Sequence, residues 1–90
     1  MMKAVVTVIG EDRVGIIAEV CTLLASYQVN VLDISQTVMQ GYFTMMMVVD
    51  ASACQLPLAE LAQIMDKKGE EIGLSIRLQR ADIFKAMHRI

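Results

Sequence analysis

The order of apolar and polar positions along the chain predicts alternating strands and helices. Lys3 to Ile9 is rich in Val and Ile and ends at Gly10, which indicates a strand with apolar residues on both faces. Between Val14 and Tyr27, apolar side chains recur at helical spacing. The buried stripe of this predicted helix is Ile16, Ile17, Val20, Cys21, Leu24 and Tyr27. Asp12 is the preferred cap at its start.

Alternation of side chains predicts the next two strands. Between Val29 and Met39, one face carries Leu32, Ile34, Gln36 and Val38, and the other carries Val31, Asp33, Ser35, Thr37 and Met39. Gln40-Gly41 is a short turn in which glycine can adopt positive φ, and the β-rich run Tyr42 to Val49 follows. The two strands and their turn predict a β-hairpin.

The last third of the chain repeats the helix and strand pattern. Asp50 to Leu56 is the connection, and Pro57 suits the first turn of a second helix. We expect Gly69 to weaken or end this helix early, with Gly73 as its stop. The stripe of this helix is Leu58, Leu61, Ala62, Met65 and Ile72. Leu74 to Gln79 then alternates as a fourth strand whose inward residues are Leu74, Ile76 and Leu78.

The element order is therefore β-α-β-β-α-β, which predicts an α+β, ferredoxin-like βαββαβ sandwich. Two helices cover one face of a four-stranded antiparallel sheet, and Asp82 begins a short C-terminal helix. We assign residues 1–81 to the domain and 82–90 to a helical tail of the same domain. The second sheet face is left open, so the pattern predicts a homodimer that covers this face or joins sheet edges.

Composition and charge narrow the classes of function. The 90 residues suit one domain, and 56% of them are hydrophobic although only 4% are aromatic, which predicts an aliphatic, Met-filled core and a partner that covers extra surface. A net charge of −2 argues against non-specific binding to nucleic acid or to anionic membranes. No apolar run approaches the ~20 residues of a membrane helix. A cytoplasmic location is the default expectation.

The sequence offers no metal or catalytic motif. Cys21 and Cys54 are far apart, and His88 is the single histidine, without clustered ligands for zinc. No residue pair has the local signature of a nucleophile and its base. We therefore expect no cofactor, no metal and no enzymatic activity, and we interpret Met45 to Met47 as core filling.

The polar turn after the first strand is the candidate site. Its residues are Gly10, Asp12, Arg13, Val14, Gly15 and Ile16. A helix that starts here presents free N–H groups and its positive dipole end to a small anion. Alternatives remain open for three residues. Gly15 also suits tight packing of helix against sheet, Arg13 also suits a solvated surface charge, and the Asp12 carboxylate would repel a carboxylate ligand.

Two segments carry a family resemblance. The segment Asp12-Arg13-Val14-Gly15-Ile16 resembles the D-R-P-G-V/I signature of ACT domains, with Val14 in place of the usual proline. Val29 to Thr37 matches the start of the family's second strand, and Asp33 to Val38 resembles a small branch of stand-alone ACT proteins. The resemblance implies a ligand held between the turn and the second strand, frequently across a subunit interface. It implicates Asn30, with its neighbour Val31, in that site.

The resemblance implies a regulatory module that binds an amino acid or similar ligand at a dimer interface and passes this signal to a regulated protein partner. One alternative is a protein-interaction module without a ligand. A second is an acylphosphatase-like hydrolase, in which Arg13 and Asn30 would hold phosphate and water. Glu11 and Asp12 argue against that hydrolase, because a phosphate site should not place carboxylates beside the anion.

Overall fold

A computed structural model describes residues 2–11 and 13–81. The elements in chain order are β1 (Lys3–Glu11), α1 (Ile16–Ser26), β2 (Asn30–Met39), β3 (Tyr42–Asp50), α2 (Leu58–Ile72) and β4 (Ser75–Arg80). The strands form one antiparallel sheet in the order β2-β3-β1-β4. The predicted ferredoxin-like βαββαβ fold is confirmed. The predicted C-terminal helix in 82–90 lies outside the described residues.

The core lies between the two helices and one face of the sheet. Side chains on the helix side of the strands are almost inaccessible to solvent, as are the inner stripes of α1 and α2. They include Val6 and Val8 of β1, Met45 and Met47 of β3, Ile76 of β4, Val20 and Leu24 of α1, and Leu61 and Met65 of α2. The interpretation of the Met run as core filling holds for two of its members. The third, Met46, lies on the opposite face and is 46% exposed.

The start of α1 and the effect of Gly69 on α2 differ from the predictions. Gly15, with φ of 91°, occupies the cap position of α1, three residues beyond the preferred cap Asp12, and the helix begins at Ile16. The expectation that Gly69 would end α2 early is wrong, because α2 continues to Ile72 and stops at Gly73 as predicted. A Cβ placed on Gly69 would lie 2.6 Å from the carbonyl oxygen of Leu74. Glycine is therefore needed where α2 approaches β4.

A β-bulge interrupts β2. Val31 pairs with Val49 and Asp33 pairs with Val48, so Leu32 is an extra residue between them. Val31 therefore packs against the core, on the same side as Ile34, and the predicted placement of Val31 on the face of Asp33 is wrong. The Asp33 carboxylate accepts a hydrogen bond of 2.9 Å from the N–H of Ile34, next to the bulge. Simple alternation could not reveal this extra residue.

Two further findings concern the described residues as a set. No helix among residues 2–11 and 13–81 is long and apolar enough to span a membrane. The same stretches bring no three His, Cys, Asp or Glu side chains together in a way that could hold a metal ion.

Candidate functional site

The turn after β1 joins the sheet to the start of α1. Gly10 pairs with Phe43 in the last part of β1, and any Cβ at Gly10 would overlap Cδ2 of Leu74. Packing against Leu74 therefore favours glycine at position 10. Gly15 has no atom within 4 Å of an added Cβ, so its requirement is the positive φ and not the tight helix packing that the sequence left open. Asp12 lies outside the described residues.

Arg13 is tied to both helices. Its guanidinium donates hydrogen bonds to a Glu19 carboxylate oxygen at 3.3 Å and to the main-chain carbonyl oxygen of Ile72 at 3.2 Å. The bond to Ile72 places a cation at the last turn of α2, where the helix dipole is negative. Arg13 is therefore a structural contact between the turn and α2. The side chain of Val14 beside it is 98% exposed.

A groove of about 280 Å³ opens between the start of α1 and the edge strand β2. The wall formed by the turn and α1 consists of Arg13, Gly15, Ile16, Ile17 and Ala18. The opposite wall is Gln36 and Val38, and the buried ring of Phe43 lies at the base. Its size is at the lower end for small-molecule sites, which matches a ligand of a few heavy atoms.

The N-terminal end of α1 makes one part of this groove electropositive. Gly15 has no side chain that could cap the helix, and the N–H of Glu19 makes the first main-chain bond, at 2.9 Å to the Gly15 carbonyl. The N–H groups of the first turn therefore receive no side-chain cap from Gly15. The positive end of the helix dipole favours an anionic group there.

Gln36 is a groove residue that the sequence did not single out. It pairs with Met45 and lies on the helix side of β2, between Ile34 and Val38. Its amide supplies both a donor and an acceptor within an otherwise apolar wall. The signal in the sequence was a single polar residue within the apolar row of β2, which could have marked Gln36 as a candidate.

Within one subunit, Asn30 lies far from the turn. Asn30 pairs with Asp50 at the first position of β2, whereas the groove is lined by Val38 near its last. The bulge leaves about seven regular steps between Asn30 and Val38, or roughly 23 Å along the strand. Arg13 lines the groove with Val38 and is therefore also far from Asn30 and Val31. Within one chain, Arg13 and Asn30 therefore cannot share a phosphate, as the hydrolase alternative requires.

A hydrogen-bonded cluster lies at the Asn30 end of the sheet. The Ser52 hydroxyl donates to the Asp50 carboxylate at 2.5 Å, and the Ser52 N–H donates to the same oxygen at 3.0 Å. These bonds, the hydroxyl bond first, hold the pKa of Asp50 below its ordinary value of 3.8. The Ser52 hydroxyl also accepts the N–H of Met2 at 2.8 Å. This cluster fixes the loop after β3.

The fold and the helix-start groove define a small ACT domain. The sequence model of the ACT domain matches residues 3–79, and the chain therefore belongs to the ACT domain family. A UPF0237 protein of Bifidobacterium longum is 51% identical over 90 residues, which is the full length of both chains. A UPF0237 protein of Methanosarcina mazei is 50% identical over 88 residues, covering 98% of this chain and 96% of the relative.

Solved structures agree with the family. An ACT domain protein from Streptococcus pneumoniae has a TM-score of 0.83 and 40% identity, covering 97% of this chain and 98% of its own. A formyltetrahydrofolate deformylase from Pseudomonas syringae has a TM-score of 0.80 at 24% identity, covering 89% of this chain and 28% of its own. A putative glycine cleavage system transcriptional repressor has a TM-score of 0.74 at 22% identity, covering 88% and 45%. Because the last two structures are less than 25% identical to this chain, they show only that the fold is shared.

Proposed function

We propose that this protein is a stand-alone ACT regulatory module that binds an amino acid or a similar small ligand at a homodimer interface and transmits binding to a protein partner. The observation that carries the proposal is the groove beside β2, which is an edge strand of the sheet. A ligand there would touch one subunit through α1 and would be closed in by a second subunit along β2.

The chemistry of the groove suits an amino acid. The uncapped start of α1 favours a carboxylate, and the Gln36 amide can bond a second polar group of the ligand. Val38, Ile17 and Phe43 offer an apolar surface for an aliphatic part. A ligand that carries only one of these features would use only part of the wall.

The edge strand β2 supports a second subunit at this position. Leu32, Ile34 and Val38 are between 40% and 54% exposed, and β2 is ten residues long without Lys or Pro. A long apolar edge of this kind invites pairing with another chain unless it is covered. We infer that a second copy covers it in an isologous contact.

A two-fold axis near Ile34 would complete the site. In an antiparallel β2 pair centred there, the bulge leaves two regular steps from Ile34 to Val31 and three to Asn30. Val31 of the second copy then lies opposite Gln36 of the first, on the helix side, and Asn30 lies opposite Thr37 on the other face. The two predicted parts of the site, which one chain separates by roughly 23 Å, are then brought to the same end of the interface twice per dimer. The N–H of Ile34 is already bonded to Asp33, so contacts at the axis itself rest on side chains.

Isothermal titration of the protein with a panel of amino acids tests the binding step. We expect one or a few to bind, and Asn30→Ala to weaken binding while thermal unfolding stays within about 2 °C of the unchanged chain. A panel without any binding, together with unchanged partner recovery for Asn30→Ala, would count against ligand sensing. A protein-interaction module that binds no ligand would then be the better proposal for the function.

Light scattering of Ile34→Asp tests the interface. A carboxylate at the proposed axis faces its own copy and should convert the dimer to a monomer. Ala59→Asp on the exposed side of α2 is the matched control and should leave the mass unchanged. A dimer that survives Ile34→Asp would place the interface elsewhere.

A further inference from the structure

The sheet face that points away from the helices is unevenly exposed to solvent. We call this surface the open face. On β1 it carries Val5 and Ile9, while Val6 and Val8 between them point into the core. Ile9 is 46% exposed, but Val5 is only 7% exposed. Among the described residues, Val5 is the one buried hydrophobic residue that does not belong to the core between the helices and the sheet.

The neighbouring strands do not explain the low exposure of Val5. This residue lies between Val48 of β3 and Gln79 of β4, and Ile9 likewise has one partner on each of these strands. Both α1 and α2 pack on the opposite face of the sheet. A side chain on an uncovered sheet face keeps its contact with water. The difference between Val5 and Ile9 therefore indicates that other atoms cover Val5 and its half-buried neighbour Val48.

We propose that residues 82–90 of the same chain dock on the Val5 end of the open face and cover Val5 and Val48. These residues lie outside the described part of the structure. The strand that precedes them, β4, ends at Arg80, which pairs with Ala4, the neighbour of Val5 in β1. From there the chain has to cross one strand spacing, about 4.8 Å, to reach β1.

The length of the segment matches the width of the sheet. The sequence predicts a short helix from Asp82, and nine helical residues span about 13 Å at about 1.5 Å per residue. The three strand spacings from β4 to β2 amount to about 14 Å. The segment is therefore long enough to cross β1 and β3 and to end over β2.

The apolar side of the segment suits this position. Ile83, Phe84 and Met87 share one side of the predicted helix. Val5 and Val48 lie side by side in neighbouring strands and present an apolar surface to them. Contact between the two sets removes both from water, which is the main favourable contribution to such packing.

Charges at the rim of the open face favour the same occupant. Lys85 and Arg89 lie outside the apolar side of the segment. Asp50 of β3 pairs with Lys3, so its charge is balanced within the sheet, whereas Asp33 is an exposed carboxylate on the outer strand β2. A helix that crosses from β4 brings its last residues to this strand. An ion pair between Arg89 and Asp33 would fix the end of the segment there.

Residues 82–90 would thus form an intramolecular cover for one half of the open face. Met46 and Ile9, each 46% exposed, belong to the half that stays uncovered. A protein that binds the Val5 end has to displace the segment first. The ligand groove of the proposed function lies on the helix side of the sheet, so the cover and the groove can be tested separately.

Thiol labelling of the full-length chain tests the proposal. Val48→Cys places a thiol under the proposed cover, and Thr44→Cys places one on the same face of β3 beyond it. Mass spectrometry distinguishes these thiols from the two native cysteines. Adding Phe84→Ser should speed labelling at position 48 about ten-fold, because loss of the apolar contact opens the cover. Labelling at position 44 should not change.

Lys85→Ser is the matched control, because it changes the next residue along the chain but not the apolar side of the segment. It should leave both labelling rates unchanged, and circular dichroism checks that each variant is folded. Equal labelling at position 48 with and without Phe84→Ser would overturn the proposal. Labelling at this position that slows as the protein concentration rises would assign the cover to a second copy and overturn it as well. Amino-acid titration of Phe84→Ser should match that of the unchanged chain, whether or not a ligand binds.

Discussion

The guanidinium of Arg13 donates a hydrogen bond of 3.2 Å to the main-chain carbonyl oxygen of Ile72. This bond joins the turn before α1 to the last residue of α2, which are 59 positions apart in the chain. The same guanidinium bonds Glu19 one turn into α1. The proposed ligand at the start of α1 would therefore adjoin the residue that couples the two helices.

Replacing Arg13 by Ala should lower the free energy of unfolding by about 1 kcal/mol, because it removes one charge-assisted bond to a helix end and one half-exposed ion pair. Urea unfolding followed by circular dichroism measures this change. Lys68→Ala removes the exposed Lys68–Glu71 pair, at 4.0 Å, and should cost less than about 0.5 kcal/mol. Equal effects of the two substitutions would mean that the bond to Ile72 contributes nothing.

Replacing Gly69 by Ala should destabilise the protein by about 1 to 3 kcal/mol, although alanine is the better helix former. The added Cβ lies 2.6 Å from the Leu74 carbonyl oxygen, and main-chain atoms of β4 cannot move without disturbing the sheet. The comparison is Gly10→Ala, whose Cβ would overlap only the end of the Leu74 side chain, while main-chain atoms of Gly73 and Leu74 stay at an ordinary contact distance of 3.5 Å. The midpoint temperature of thermal unfolding should be lower for Gly69→Ala than for Gly10→Ala. The reverse order would contradict this explanation by packing.

Replacing Gln36 by Leu should weaken binding of the amino acid that titrates best about ten-fold, because the groove loses its one amide. Gln36→Glu keeps the shape and adds a negative charge beside the site of the ligand carboxylate, so it should weaken binding further. Gln63→Leu, on exposed α2, is the control. Titration calorimetry gives all three affinities, and an unchanged affinity for Gln36→Leu would remove Gln36 from the site.

Replacing Ser52 by Ala should change how stability depends on acidity. The folded state lowers the pKa of Asp50 below 3.8, so the stabilising contribution of this carboxylate is complete above 3.8 and is lost as pH falls from there through the lower pKa of the folded state. Ser52→Ala should therefore lower stability at pH about 7 and have less effect at pH about 3. Denaturant titrations at both values measure the difference, with Ser35→Ala as control. An equal loss at both values would assign the effect to packing.

Periodicity was sufficient to predict the order and type of all six elements, because each helix and strand buries one regular stripe. It could not locate the start of α1, since Gly15 caps the helix through its backbone conformation and not through a side chain. It also misjudged Gly69, whose role depends on a contact with Leu74 that no local pattern contains.

The candidate site was predictable only in part. The turn around Gly15 was located by its position between a strand and a helix, and the structure lines the groove with it. Gln36 is about twenty positions further along the chain, and only the sheet topology brings it opposite Ile17. The role of Asn30 depends on a second subunit, and so it could not follow from one chain.

The bulge at Leu32 divides β2 into two segments that differ in phase. Because the bulge takes up one residue, the pairing on both sides of it is that of an uninterrupted strand one residue shorter. A one-residue deletion at this position would therefore remove the bulge and leave Asn30, Val31, Gln36 and Val38 on their present sides of the sheet. A straightened β2 that kept Leu32 in the ladder would instead move Asn30 and Val31 to the opposite sides and re-aim one half of the site without altering the other.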